Sequence, residues 1–300
     1  MSAVAALHFA APQTWPAAVM PSLLGSCIAV GTHYELRPWI LFGILVTSVL
    51  LQSAVNTLND YRDFVTGLDN EENCDDPEDA AMIYDCSDPK AAFILACFFL
   101  LAAAVVGLTL VHFTGMGLII YAVIGAAAIL LYTMPKISFS RLPVGELLSG
   151  GAMGGAITLA SYYAQTGEMN ITAVMCCIPA IVTIGGILTV NNTCDIEKDI
   201  PGGRKTFSIC VGRSNAQKAL RIALLGACVL ICIEVLIWFP KGIAAMAVMA
   251  AALITNGLVQ KLFLHDLTAD VRREAMGGIL AAHKWIIGSF CAAMLLNILV

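Results

Sequence analysis

Charge is what this chain of 300 residues has least of, since Asp, Glu, Lys and Arg together make up only 12% of it. Soluble globular proteins carry about twice that fraction. The mean hydropathy is +0.84, and 59% of the residues are hydrophobic. So little charge cannot cover a water-exposed surface, and a formal net charge of −5 gives no basis for binding nucleic acid. The composition therefore predicts a polytopic protein of the lipid bilayer.

Zinc and disulfide motifs are also missing, although the chain contains eleven cysteines. None of them forms a CxxC pair or a Cys/His pattern with zinc spacing, and most lie inside apolar runs. Cys74 and Cys86 are the only pair within one polar loop. We expect both to stay reduced, because the topology described below places that loop in the cytoplasm.

What the chain has instead is nine apolar runs, each near the roughly 20 residues that a membrane-spanning helix needs. Pro, Gly, Asn or charged residues bound every run. The runs cover about residues 16–33, 38–58, 90–111, 115–133, 143–165, 171–192, 217–238, 242–262 and 277–300. We predict an all-α fold, a bundle of about nine transmembrane helices in a single domain over residues 1–300.

Basic residues are nearly absent from the connections on one side of the predicted bundle. Only Arg37 and Lys241 fall on odd-numbered connections, whereas the other fourteen of the sixteen Lys and Arg residues lie on or beside even-numbered ones. Under the positive-inside rule, the even-numbered connections and the N-terminus face the cytoplasm, which predicts a multi-pass protein of the cytoplasmic membrane. Because no basic residue precedes Arg37, the start lacks the n-region of a signal peptide and should stay in the mature protein.

Two connections on the cytoplasmic side begin with an Asp-rich cluster. The first cluster ends the segment VNTLNDYRD (residues 55–63) and the second ends VNNTCDIEKD (residues 190–199), four predicted helices later. This recurrence resembles an internal duplication of a four-helix unit, over about residues 16–133 and 143–262, with a ninth helix appended. We therefore predict that both clusters face one cavity and lie in the cytoplasm.

The polar residues of the first cluster follow helical spacing. Gln52, Asn56, Asn59 and Asp63 are separated by four, three and four positions, which places them on one face of a helix. Asp60 is turned about 100° from Asn59. Polar groups at membrane depth are costly and normally face a bundle interior or a wet cavity. This polar stripe therefore predicts a site between helices.

The second cluster repeats that design and adds positive charge. Asn192, Asp195 and Asp199 are three and four positions apart, and Arg204 and Lys205 follow within the stretch GGRKTF. Mg²⁺ is usually held by one or two carboxylates together with substrate phosphates. Arg offers a fork that matches phosphate oxygens, and Lys offers a point charge. Acids for a metal beside bases for phosphate predict a Mg²⁺-diphosphate site.

The stretches NDYRD, DIEKD and GGRKTF resemble the UbiA superfamily of intramembrane prenyltransferases, and the likeness extends across most of the chain. The stretch YYAQTG (residues 162–167) and the pair Asn191-Asn192 favour the branch that prenylates 1,4-dihydroxy-2-naphthoate in menaquinone synthesis. The resemblance implies a central cavity that opens to the cytoplasmic side. It also implies Mg²⁺ as cofactor and transfer of a polyprenyl group from polyprenyl diphosphate, with decarboxylation, to give demethylmenaquinone.

The same resemblance implies roles for individual residues. The catalytic residues would be Asn59, Asp63, Asp195 and Asp199. The metal ligands would be these four together with Asp60 and Asp69. The substrate-binding residues would be Arg204, Lys205, Lys136, Arg141, Gln52, Asn56, Asn192, Tyr132, Tyr162 and Glu146. No obligate protein partner is inferred.

Two features leave alternatives open. Between Asp69 and Asp88 lie nine acids and no Lys or Arg, where relatives usually carry basic residues. This tract could bind an extra cation, form a solvated lid or reflect a changed substrate. The aromatic acceptor could instead be 4-hydroxybenzoate or a haem or chlorophyll precursor. Outside the enzymes, intramembrane carboxylates also mark cation-coupled transporters, although such a protein would not need the basic stretch behind Asp199.

Overall fold

The computed structural model of the protein describes residues 1–69, 81–85, 88–133 and 138–299. Every regular element within these ranges is a helix, which confirms the predicted all-α fold. The α-helices are α1 (Ala3–Ala10), α2 (Pro16–Gly31), α3 (Pro38–Val65), α4 (Ala81–Tyr84), α5 (Pro89–Thr114), α6 (Leu118–Thr133), α7 (Gly145–Ser149), α8 (Ile157–Thr166), α9 (Ile171–Cys176), α10 (Ile178–Cys194), α11 (Ile196–Asp199), α12 (Phe207–Val211), α13 (Arg213–Trp238), α14 (Ala244–Thr255), α15 (Gly257–Leu264) and α16 (Arg272–Leu299). A π-helix, Gly150–Ala156, joins α7 to α8.

Pro, Gly and Asn residues explain where several of the helices begin and end. Pro16, Pro38 and Pro89 occupy the first turn of α2, α3 and α5, where a missing backbone N–H costs nothing. Gly167 ends α8 in the left-handed region at φ +78°. Asn170 then begins α9, because its side chain accepts a 2.8 Å hydrogen bond from the backbone N–H of Ala173.

In the described part of the chain, five helical segments are long and apolar enough to cross a membrane. They are Pro38–Val65, Pro89–Thr114, Ile171–Cys194, Arg213–Trp238 and Ala269–Leu299. Two bent pairs, with angles of 55° and 66°, raise the number to seven if each pair counts as one span, and Leu118–Thr133 is a shorter apolar helix. All nine predicted apolar runs fall on helical segments, but nine crossings remain a prediction.

The eighth apolar run is broken instead of continuous. It divides at Asn256 into α14 and α15, which meet at 66°. The Asn256 side chain accepts hydrogen bonds from the backbone N–H groups of Leu258 and Val259, at 3.1 and 3.2 Å. A backbone break at membrane depth needs such partners, because lipid offers none.

The second apolar run was predicted to end at about residue 58, but α3 continues to Val65. The extension is stabilised by Arg62, which is only 9% exposed. Its guanidinium donates to the hydroxyls of Ser138 and Ser140, at 2.8 and 3.1 Å. The first Asp-rich cluster therefore lies on α3, as the helical spacing of Asn59 and Asp63 predicts.

The helices pack around an interior formed mainly by α2, α10 and α16. α2 lies along α8 and α16, and α10 packs against α13, α16 and the π-helix. At Gly154 the approach of α10 is so close that a Cβ atom would lie 2.4 Å from the carbonyl oxygen of Ala180. On the outside, α5 exposes large apolar side chains such as Phe98 and Leu101, which suits contact with lipid.

Candidate functional site

A cavity of about 270 Å³ lies inside the bundle, between α3, α6, α10, α16 and the π-helix. Most of its wall is apolar, with side chains such as Leu51, Ile129 and Leu188. Polar side chains also line it, among them Gln52, Asn56, Asn59, Tyr132 and Asn191. Three of the four residues in the predicted stripe therefore border one cavity, as helical spacing predicts.

The N-terminal segment forms part of this wall, which the sequence did not indicate. Thr14 lines the cavity, and its hydroxyl accepts hydrogen bonds from the side-chain amides of Gln52 and Asn56, at 3.2 and 2.9 Å. The Asn56 amide also donates to the carbonyl oxygen of Ala10, at 3.1 Å. Two of the stripe residues thus hold the chain between α1 and α2 against α3.

Arg204 joins the two Asp-rich clusters. Its Nη2 lies 2.8 Å from Oδ2 of Asp63, and its Nη1 lies 3.1 Å from Oδ1 of Asp199. The guanidinium is 10% exposed and the Asp199 side chain 1%, so solvent screens this bridge little. The other oxygen of Asp63 pairs with Arg62 at 3.1 Å. The two clusters are therefore in direct contact across 141 positions of sequence. That both face one cavity stays a prediction, since Asn59 lines the cavity but Asp63 and Asp199 do not.

Asp195 and Asn192 are held by different partners. Asp195 pairs with Nε of Arg272 at 2.9 Å, and the Asn192 amide donates a 2.8 Å hydrogen bond to Oε1 of Glu146. Neither Arg272 nor the Asn192–Glu146 pairing was predicted. Both depend on how α7 and α16 pack against α10, which local spacing does not specify.

Asp60 and Asp69 contact elements at the edge of the first cluster. Oδ2 of Asp60 accepts a 3.1 Å hydrogen bond from the backbone N–H of Met82 and so anchors α4. Asp69 is 8% exposed and pairs with Lys198 at 2.6 Å, which links the acidic connection to α11. Both residues thus support the edges of the first cluster.

Two of the predicted basic residues, Lys205 and Arg141, are in contact through their backbones. Lys205 is exposed, and its backbone N–H donates to the carbonyl oxygen of Arg141 at 2.8 Å. Nε of Arg141 is buried and has no hydrogen-bond partner. Lys136 lies outside the described residues.

Tyr132 lines the cavity, but Tyr162 lies elsewhere. The Tyr162 side chain is fully buried, and its hydroxyl accepts a 2.6 Å hydrogen bond from Asn170, just before α9. Asp195 follows the other end of the helical segment Ile171–Cys194, which is about 36 Å long at 1.5 Å per residue. Tyr162 is therefore placed at the opposite end of the bundle from the acidic clusters, which argues against its predicted role.

Most of the acidic tract after Asp69 lies outside the described residues, as do Cys74 and Cys86. Two of its acids are placed. Asp85 pairs with His8 at 3.0 Å, and Asp88 caps α5 by accepting from the backbone N–H of Lys90 at 3.0 Å. These contacts attach the end of the tract to α1 and α5.

Burial disfavours the charged form of the carboxyl groups in the second cluster. It raises the pKa of Asp195 to about 7 and also raises the pKa of Asp199, while Lys198 and Arg204 act in the opposite direction. A raised carboxyl pKa means that the charged form is stabilised less than in water. Additional positive charge at this point would offset that cost.

The residues present fit a divalent cation that is shared with a ligand. Among the described residues, no three acidic, His or Cys side chains converge into a complete metal cage. Oδ1 of Asn59 and Oδ2 of Asp199 are nevertheless buried without a hydrogen-bond partner. Amide and carboxylate oxygens suit Mg²⁺, which needs only one or two carboxylates when phosphates complete its shell.

The fold and the site define a multi-pass membrane protein with an apolar internal cavity and an end lined by acids and arginines. The chain belongs to the UbiA prenyltransferase family, whose model matches residues 18–283. Similar proteins include the 1,4-dihydroxy-2-naphthoate octaprenyltransferase of Bacillus subtilis (strain 168), 31% identical over 209 residues, which are 70% of this chain and 66% of that protein. The UbiA prenyltransferase domain-containing protein 1 of Homo sapiens is 28% identical over 204 residues, 67% of this chain and 59% of that protein. The chain thus matches less than two thirds of either relative's length.

Solved structures of the family share the fold. A UbiA homologue from Archaeoglobus fulgidus bound to GPP and Mg²⁺ superposes with a TM-score of 0.70 at 16% identity, covering 99% of this chain and 100% of the other. An apo UbiA homologue from Aeropyrum pernix K1 gives a TM-score of 0.67 at 16% identity, covering 91% and 96%. At such identity the likeness establishes the helical arrangement, and the chemistry has to be argued from the residues of this chain.

Proposed function

We propose that this chain is a Mg²⁺-dependent prenyltransferase that transfers a polyprenyl group from polyprenyl diphosphate to 1,4-dihydroxy-2-naphthoate. Loss of diphosphate and CO₂ would give demethylmenaquinol, the reduced form, which dioxygen would oxidise to demethylmenaquinone outside this site. The observation that carries the reaction class is the Arg204 bridge between Asp63 and Asp199 beside an apolar cavity. The naphthoate acceptor is supported by the similarity to the Bacillus subtilis protein.

The diphosphate would bind where the two clusters meet. Arg204 would exchange part of its contact with the carboxylates for phosphate oxygens, which its fork matches. Lys205 and Arg141 are joined by a backbone hydrogen bond and would add positive charge at the same end of the bundle. Holding the diphosphate here would direct the attached prenyl chain into the apolar part of the cavity.

The metal would be held by oxygen atoms from both halves of the chain. Asn59 and Asp63 would contribute from α3, and Asp195 and Asp199 from the end of α10 and from α11. Asp60 and Asp69 would act at the edge of the site through α4 and Lys198. When bound, Mg²⁺ supplies positive charge that stabilises the departing diphosphate.

The cavity wall would bind the prenyl chain and the aromatic acceptor. Its apolar side chains suit an isoprenoid, and Gln52 and Asn56 keep the polar side of the wall fixed through Thr14. Tyr132 presents an aromatic ring, whose face can stabilise a developing positive charge on the prenyl group. Glu146 and Asn192 do not line the cavity, but they are hydrogen-bonded to each other and would orient the acceptor.

The placement in the membrane is part of the proposal. Nine crossings result if both bent pairs, Leu118–Thr133 and the helical stretch over residues 145–166 each span the bilayer. The excess of basic residues on the connections that carry the acidic clusters supports a cytoplasmic position for both clusters and for the mouth of the cavity.

The experiment that tests the function is a product assay on membranes containing the chain. Incubation with 1,4-dihydroxy-2-naphthoate, a long polyprenyl diphosphate and Mg²⁺ should release CO₂ and diphosphate and give a prenylated naphthohydroquinone. After oxidation in air this product is detected as the quinone of the expected mass. A chelator should abolish the product, and added Mg²⁺ should restore it. Absence of product, with active control membranes, would refute the naphthoate assignment. Product from 4-hydroxybenzoate or from a haem or chlorophyll precursor would support another acceptor, and cation flux without any product would support a transporter.

A larger side chain on α6 that fills part of the cavity should weaken the binding of polyprenyl diphosphate. Gly125 lines the cavity, and a Cβ atom placed there would meet nothing within 4 Å. A Leu side chain at this position would occupy space proposed for the prenyl chain without disturbing the backbone. We expect Gly125→Leu to raise the KM for polyprenyl diphosphate about tenfold, or ~1.4 kcal/mol.

The matched control is Gly226→Leu on α13. Gly226 also has open space around its Cβ position, but it is exposed and does not line the cavity. The KM of the Gly226→Leu variant for polyprenyl diphosphate should equal that of the unmodified protein. Equal KM values for the two variants would contradict the proposed location of the prenyl chain.

A further inference from the structure

The last long helix, α16, has one face directed at the central cavity. Met276 and Leu280 line the cavity, and Arg272 lies four residues before Met276. Residues four apart stack along a helix, so the three side chains form one row. This row ends in a guanidinium at the same end of the bundle as the Asp-rich clusters.

Arg272 contacts two groups of the second cluster at once. Its Nη2 donates a 2.7 Å hydrogen bond to Oδ1 of Asn191, and its Nε lies 2.9 Å from Oδ1 of Asp195. Asn191 is a cavity-lining residue, and Asp195 is one of the proposed metal ligands. The backbone N–H of Asp195 also bonds to the carbonyl oxygen of Asn191, at 3.1 Å.

The environment of this contact differs from that of the surface ion pairs nearby. The side chains of Arg272 and Asp195 are 24% and 13% exposed, whereas those of Lys261 and Glu274, which connect α15 to α16, are 46% and 50% exposed. An exposed pair contributes little and is screened by salt. The half-buried fork of Arg272 can instead fix the orientation of the two groups that it contacts.

We propose that Arg272 is a positioning residue, which holds Asp195 and Asn191 in the orientation needed to bind the metal with its diphosphate. The inference rests on the proposed function, because it assumes that Asp195 is a metal ligand. It assigns α16 a part in a site otherwise built from α3, α10 and α11. Partners that orient metal ligands typically affect metal affinity by 10–100-fold, and Arg272 should do the same.

The test is the affinity of the full-length protein for Mn²⁺ in the presence of geranyl S-thiolodiphosphate, an unreactive diphosphate, measured by electron paramagnetic resonance. We expect Arg272→Gln to weaken Mn²⁺ binding about 10–100-fold. Arg272→Lys keeps the charge but loses the fork, so it should lie between Arg272→Gln and the unmodified protein. In the product assay, Arg272→Gln should raise the Mg²⁺ concentration needed for half-maximal rate by a similar factor, and excess Mg²⁺ should recover part of the rate.

Arg273→Gln is the matched control, because it removes the same charge one position along, from an exposed side chain. It should bind Mn²⁺ like the unmodified protein. If Arg272→Gln also bound Mn²⁺ as tightly as the unmodified protein, the proposal would be wrong. A lower melting temperature together with a rate loss that excess Mg²⁺ does not recover would show a purely structural role and overturn it as well. An unmodified protein that binds Mn²⁺ but makes no prenylated product would refute the proposed function while the Mn²⁺ comparison still decides the role of Arg272. An unmodified protein that binds no Mn²⁺ would refute both.

Discussion

Replacing Asp199 with Asn should lower the rate of prenyl transfer by at least about 10³-fold. The side chain is 1% exposed, and its Oδ2 is buried without a hydrogen-bond partner, so the carboxylate has a free oxygen for a cation. Asn keeps the size but removes the charge. Loss of a metal ligand removes several kcal/mol of transition-state stabilisation, and about 4 kcal/mol corresponds to the expected factor. The measurement is the initial rate of product formation at saturating Mg²⁺.

Glu197→Gln is the control for this variant, because it makes the same chemical change in the same short helix, α11. The Glu197 side chain is 64% exposed and pairs with Arg213 at 2.6 Å. That pair lies at the surface, where removal of one charge has little effect. The rate should stay within about twofold of the unmodified protein, since less than about 0.5 kcal/mol is at stake. Equal rate losses in the two variants would contradict a specific role for Asp199.

Arg204→Lys should lower the rate by about 10²-fold, even though the positive charge remains. A Lys ammonium is a point charge and cannot contact Asp63 and Asp199 through two separate nitrogens as Arg204 does. It also cannot bind two phosphate oxygens with a planar fork. Each charge-assisted hydrogen bond contributes about 1.5–3 kcal/mol, which matches the expected loss. The KM for polyprenyl diphosphate should rise together with the fall in kcat.

The comparison variant is Arg213→Lys. Arg213 contacts Glu197 and the carbonyl oxygen of Leu267, on the outer side of the second cluster. The rate and the KM of the Arg213→Lys variant should stay close to those of the unmodified protein. An Arg204→Lys variant with unchanged KM and kcat would show that the bridge is not part of the diphosphate site.

The helical part of the structure could be predicted from sequence because it depends on local rules. Long apolar runs predict the helices, and prolines and glycines mark several of their ends. The spacing of Gln52, Asn56 and Asn59 predicts a shared face, and all three line the cavity. Such features need only the geometry of a single helix.

The contacts between helices could not be predicted in the same way. Arg62 and Arg272 were not among the predicted site residues, yet they contact Asp63 and Asp195. Arg204 was predicted to bind phosphate, but its bridge to Asp63 spans 141 positions. Which guanidinium reaches which carboxylate depends on how the helices pack, and residue spacing within one helix carries no information about that packing.

The YYAQTG stretch shows how a motif can indicate a family without contributing to the acidic site. Tyr162 bonds to Asn170, and the Gln165 side chain accepts a 2.9 Å hydrogen bond from the backbone N–H of Arg37 and donates one to Ser26 at 3.1 Å. These contacts connect helices at the end of the bundle opposite the acidic clusters. The naphthoate proposal therefore depends on the overall similarity to the Bacillus subtilis protein and not on residues of this stretch in the site.

The central claim is that the two Asp-rich clusters form one metal-diphosphate site. It is tested most directly by titrating Mn²⁺ into the unmodified protein, Asp63→Asn and Asp199→Asn, each with and without geranyl S-thiolodiphosphate. The unmodified protein should bind Mn²⁺ tightly only with the diphosphate, and each single substitution should abolish this diphosphate-dependent binding. Binding that is unchanged in either variant, or that is independent of the diphosphate, would contradict a site shared by the two clusters.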